Sequence, residues 1–155
     1  MAKALDVGTP RVLACSRADE LPATWPAAWG TDLVVKPLEM WNSQGVLLIR
    51  NGVNAFTTGA VAGEPMRGRN DVLAAYAKAA VNASAPVIVE ELLPPADSTR
   101  SRGTKVRSPD DFKFFMFGGK VGTVWHVHGR KTREECSAWY DASWSRRLDQ
   151  AGCVK

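Results

Sequence analysis

The chain has 155 residues, 45% of them hydrophobic, enough to bury the core of one ordinary domain and little more. Its 20 Lys and Arg against 16 Asp and Glu give a net charge of +4 and a pI near 9.1, which favours anionic partners such as nucleotide phosphates or nucleic acid without choosing between them. Cys15, Cys136 and Cys153 lack CxxC spacing, so neither a disulfide framework nor a zinc site is expected; with no signal h-region and no apolar run of bilayer length, a cytoplasmic protein without membrane insertion is expected.

In chain order, residues 11–15 read as a short strand and residues 21–30 as a Pro- and Trp-rich approach loop. Residues 1–30 are thus assigned to an irregular N-terminal segment, 31–150 to the folded domain and 151–155 to a tail, with the ordered core beginning near Asp32. The branched apolar runs 33–35 and 46–50 predict two strands around a small-residue loop, and Asn51-Gly52 predicts a tight turn. Asn70 or Asp71 is placed to cap a helix over residues 72–81, with Val72, Leu73, Tyr76 and Ala80 on one stripe. Residues 87–89 form the next strand, and residues 94–103 a polar loop. Residues 112–117 and 120–127, joined by Gly118-Gly119, carry a hairpin signature. Thr132 and Glu135 stand at capping-box spacing, which predicts a helix running to Leu148.

Lys36 closes an apolar strand, so its ammonium reaches the mouth of the sheet, either as a phosphate ligand or as an ordinary snorkelling lysine. The loop Asn42, Ser43, Gln44, Gly45 offers backbone N–H groups to phosphate oxygens, or serves as a plain turn. Neither Walker A nor GxGxxG occurs, which leaves the P-loop and Rossmann cradles without support. Glu90 and Glu91 end a buried strand and point to opposite faces, so at most one of them lines a given pocket. A strand end of this kind offers a backbone acceptor and donor to an adenine, with Leu92 and Leu93 as apolar walls; the plainer alternative is a charged surface edge. Asp111 and Lys113 share a face, as do His126 and His128, with Arg130 just beyond. Paired histidines at this spacing can bind a metal, but no further ligand is evident nearby, so no metal site is assigned and Arg130 is the better phosphate candidate. No nucleophilic triad or activated cysteine is evident, because Glu134 and Glu135 raise rather than lower the pKa of a thiol at Cys136.

Lys36-Pro37 with its loop, the Val-Ile-Val-Glu-Glu-Leu-Leu segment at 87–93, the Asp-Phe-Lys-Phe-Phe hairpin from Asp111, and Tyr140-Asp141 followed by Trp144 together resemble the TupA-like branch of the ATP-grasp superfamily, associated with teichuronopeptide and polysaccharide biosynthesis. The order and spacing agree from about Leu21 to Trp144. The resemblance implies an α+β fold, a partial ATP-grasp of two small, mostly antiparallel sheets with flanking helices. It also implies ATP as cofactor: Lys36 on the phosphates, Asn42, Ser43, Gln44 and Gly45 as the flap, Glu90 in the adenine pocket, the Glu91 carbonyl and Leu93 amide on the base, Asp111 on ribose, and Lys113 and Arg130 near the phosphates.

The family's reaction makes an acyl-phosphate from a carboxylate and ATP, which an amine attacks. Mg²⁺ is expected for such ligase activity, but the strands that carry its acidic ligands in the family have no counterpart after Trp144, and the first thirty or so residues stand where the family has a substrate domain. Trp41 and Gln44 also stand where the family prefers small residues or His. Three functions follow as expectations: a carboxylate–amine ligase, minimal or completed by a second protein chain; a degenerate module that binds a nucleotide or a partner without turnover; and a basic phage or mobile-element protein that uses Arg100, Arg102, Lys105 and Arg107 on structural or nucleic-acid partners.

Overall fold

Alternation of side chains decides the first sheet. The structure, a computed structural model, describes residues 9–40, 43–93, 110–131, 133 and 135–145. Strand β2 (Leu33–Pro37) buries Leu33, Val35 and Pro37 on one face and leaves Val34 and Lys36 half-buried on the other. Strand β5 (Pro86–Glu91) does the same with Val87 and Val89 inward and Ile88 and Glu90 outward. The two pair antiparallel, Leu33 opposite Glu91 through Pro37 opposite Val87. On the other side of β2 lies β3 (Leu47–Arg50), which turns at Asn51 and Gly52 into the short β4 (Val53–Asn54). Both turn residues have positive φ, 48° and 74°, the primed geometry that the Asn-Gly pair predicts. With β1 (Val12–Arg17) along the free side of β5, the order is β1-β5-β2-β3-β4, antiparallel throughout.

The inward face packs on α1 (Arg69–Lys78), whose Val72, Ala75 and Tyr76 meet Leu33, Val35, Ile49, Val87 and Val89 in one core. Two sequence expectations are corrected here. The core does not begin near Asp32: β1 supplies the edge strand, and Ala18 and Leu21, at the two ends of a short 3-10 turn that follows it, are buried in the same core. Nor does Asn70 or Asp71 cap the helix. Gly68 holds that position, where a Cβ would lie 2.1 Å from the Ala23 carbonyl oxygen, so only the bare backbone fits. Asp71, in the first turn, instead reaches back to accept from the Arg67 N–H at 2.7 Å and from its guanidinium. That guanidinium and N–H hold the Asp71 carboxyl below the usual carboxylate range.

The chain divides into two compact units, Met1–Leu93 and Pro94–Lys155. The second contains a three-stranded antiparallel sheet in the order β6 (Asp111–Phe117), β7 (Lys120–His128), β8 (Cys136–Asp141). Gly118 and Gly119 make the predicted hairpin turn with φ of 56° and 78°. The expected C-terminal helix is corrected: residues 136–141 are a strand, paired from His128 opposite Cys136 to Thr123 opposite Asp141. Trp139 and Tyr140 are strong strand formers, and Trp139 stacks on Trp125 across the ladder at 5.8 Å, a contact that outweighs the local capping signal. Strand β6 is an edge of this sheet, and Phe112, Phe114, Phe115, Met116 and Phe117 along it are all exposed.

Cys15 is free, whereas Cys136 is disulfide-bonded with its partner outside the described residues, which corrects the expectation that the cysteines make no disulfide. The architecture is thus α+β with two small antiparallel sheets and, among the described residues, one α-helix. No helix among the described residues is long and apolar enough to cross a membrane.

Candidate functional site

In the first unit, the antiparallel register puts Val34 beside Leu48 and Glu90, and Lys36 beside Ile88, all on the face of the sheet away from α1. Lys36 reaches diagonally across that face to form an ion pair with Glu90. The carboxylate of Glu90 is the more enclosed partner, 15% exposed against 41% for Lys36. Arg50 projects from β3 on the same face as Leu48, and its Nε is buried without a hydrogen-bond partner. The result is an apolar strip in which half-buried Val34 and Ile88 flank the buried Leu48, bordered by an ammonium, a carboxylate and a guanidinium. Such a surface suits a flat, polar-edged ligand with anionic groups.

Glu91 stands apart from this group, as the alternation of a strand requires. Its carboxylate accepts from the Arg11 N–H at 3.0 Å and pairs with the Arg11 guanidinium, while its own N–H donates to the Arg11 carbonyl at 3.0 Å. Leu92 N–H is spent on the Asp32 carbonyl, and Leu93 is exposed at the end of the unit.

Of the predicted flap, Asn42 lies outside the described residues, as does Trp41. Ser43 and Gly45 both take positive φ, 58° and 71°. Gln44 donates from Nε2 to the Ala79 carbonyl at 3.1 Å, and a Cβ on Gly45 would come within 2.9 Å of Val81 and 2.8 Å of Pro37. Residues 43–45 are therefore tied to the chain just beyond α1, and their side-chain and steric contacts are those of a packed turn.

In the second unit, the sheet separates two clusters. Asp111, Lys113 and Arg130 come together: Asp111 Oδ2 accepts from Arg130 at 2.6 Å and is ion-paired with Lys113. The Lys113 ammonium also stands 5.2 Å from the centre of the Trp125 ring. Asp111 lies opposite Val127 in the register, so the odd-numbered residues of β7 share its face and the even-numbered His126 and His128 occupy the reverse. On that reverse face both imidazoles converge on Asp110, the residue just before β6. His126 Nε2 lies 2.9 Å from one carboxylate oxygen and His128 Nδ1 lies 2.8 Å from the other. Phe112 stacks on His126 with centroids 4.4 Å apart and planes 4° from parallel, which fixes that ring.

Asp110 is the site residue that the sequence reading lacks. The signal was present in the alternation of His126 and His128, but the third partner emerges only when the hairpin register sets the start of β6 against the end of β7. Lys131, nearby in the chain, has its ammonium pKa lowered by burial and by Arg130. The arginine- and lysine-bearing residues 100–107 lie outside the described residues.

The oxygen-rich shell that Mg²⁺ requires is not assembled among the described residues: the carboxylates of Glu90 and Asp111 are each held by cations, and the one group of suitable side chains, Asp110 with His126 and His128, is built mainly of imidazole. The buried Arg50 Nε and the Lys36 ammonium border one apolar strip. Comparison with protein-family models, curated proteins and solved structures finds no match.

Proposed function

We propose that this chain is a nucleotide-binding module of the ATP-grasp type, with ATP held on the outer face of the five-stranded sheet. The observation that carries this reading is the Lys36–Glu90 pair beside the apolar strip of Val34, Leu48 and Ile88. The strip offers a surface for the base, Lys36 a point charge for phosphate, and Glu90 an acceptor for hydroxyl or amine hydrogens. The exposure of the pair is one-sided, 41% for Lys36 against 15% for Glu90, so the ammonium keeps a solvent-facing side for phosphate while it stays paired with the carboxylate. Nucleotide binding is the function assigned to these residues.

Thermal unfolding with added ATP tests this reading directly. Saturation at a hundredfold excess over Kd raises stability by about 2.7 kcal/mol through mass action alone. The wild-type chain is expected to show a rise in melting temperature at millimolar ATP, and Lys36→Ala a loss of affinity of about tenfold, the order expected for removing one charge-assisted contact. An unchanged melting temperature in the wild-type chain would overturn the assignment.

A further inference from the structure

We infer that Asp110, His126 and His128 form a binding site for a divalent transition-metal ion of the Zn²⁺ class. The ligand atoms of the three side chains already lie within 4.8 Å of one another. A tetrahedral Zn²⁺ with bonds of about 2.0–2.1 Å places its ligands about 3.3 Å apart. The two nitrogen–oxygen distances here, 2.9 and 2.8 Å, are those of hydrogen bonds that an entering ion would replace. Opening these contacts by a few tenths of an ångström and drawing the two rings together takes only side-chain rotation, because both rings rise from one face of one strand.

In the ion-free arrangement the carboxylate accepts from the ring nitrogen that each imidazole turns toward it. On binding, each ring carries its proton on the other nitrogen and presents the lone pair to the ion. The donor set, two imidazole nitrogens and one carboxylate oxygen, selects Zn²⁺, Co²⁺ or Ni²⁺ over the oxygen-seeking Mg²⁺ and Ca²⁺.

Two further features fit a metal site better than a surface hydrogen-bond cluster. The two histidines are half-buried, with side chains 20% (His126) and 33% (His128) exposed, Asp110 is exposed, and the stacked Phe112 ring sets the direction of the His126 nitrogen. Cys136 stands directly opposite His128 on β8, yet its sulfur is committed to a disulfide and offers no thiolate. Among the described residues the cluster supplies three ligands, which leaves a fourth position for water or an exogenous ligand. The site lies on the reverse face of the sheet from Asp111, Lys113 and Arg130, and it does not rest on the nucleotide reading.

The test is titration of the full chain with Zn²⁺ against a chromophoric chelator, without thiol reductant or nucleotide, alongside Co²⁺ absorption spectroscopy. The expected result is one ion per chain with micromolar or tighter affinity, a Co²⁺ ligand-field band of a low-coordinate site, and no competition from millimolar Mg²⁺. His126→Gln and His128→Gln should each weaken binding at least tenfold. Asp110→Asn keeps the size of a side chain outside the strands while removing its charge, so it reports on the site even if a histidine variant fails to fold, and it should weaken binding by a similar factor. Absence of Zn²⁺ binding at 100 µM, or binding unchanged in Asp110→Asn, would overturn the inference.

Discussion

Gly45 shows how one residue can answer to both a functional and a structural demand. The resemblance assigns it to a phosphate flap, yet its φ of 71° and the 2.8 Å approach to Pro37 already require a residue with no side chain. Gly45→Ala should therefore lower stability by about 1–3 kcal/mol in chemical denaturation, whether or not ATP is present. Equal stability for the two chains would mean that the turn relaxes freely. The same scale explains what was legible at the site. The partnership of Asp111 with Lys113 follows from a spacing of two in a strand, whereas Asp110 could not be assigned to the histidines until the register was known. Glu90 and Glu91 separate as alternation demands, one facing Lys36 and the other Arg11.

Among the elements, α1 carries an unusual internal feature. Tyr76 is fully buried, and its hydroxyl finds no hydrogen-bond partner among the described residues. Such a group costs about 1–3 kcal/mol in lost hydration, so Tyr76→Phe should leave the fold unchanged or stabilise it by about 1 kcal/mol. Burial also raises the phenol's pKa above its ordinary value of 10.0. The folded state thus binds the proton more tightly than the unfolded one. The associated stability is complete below pH 10 and falls by about 1.4 kcal/mol per pH unit above it, until the folded group itself ionises. Alkaline unfolding should be shallower in Tyr76→Phe than in the wild type; parallel curves would place the titration elsewhere.

The elements themselves were read unevenly. Strands β2 and β3, the Asn51-Gly52 turn and the β6–β7 hairpin were evident, because branched runs and primed turns are local signals. Strand β8 was not, since Thr132 and Glu135 supply a helix start whose influence is overridden by the ladder to β7.

At the scale of the molecule, two small sheets divide the burial between them, and among the described residues of the second unit the buried apolar side chains are Val124, Val127 and Ala138. A sheet with so thin a core leans on its covalent link. Reduction of the disulfide at Cys136 should cost about 2–4 kcal/mol, seen as a lower melting temperature in a thiol reductant for the transition that quenches Trp125 and Trp139 fluorescence. A melting temperature insensitive to reductant would show that packing alone holds the second sheet. Neither the bond nor the edge position of β1 was accessible from composition, since both depend on which distant segments meet.

The outer rim of β6 has a practical consequence. Among the described residues its backbone pairs on one side only, and Phe112, Phe114, Phe115 and Phe117 along it are exposed. When two molecules meet rim to rim, each can complete the other's ladder and shield those rings in a single encounter. A net charge of only +4 provides little repulsion against that event, and added salt provides less. Concentration and ionic strength, more than temperature, will decide whether a preparation stays clear or turns cloudy.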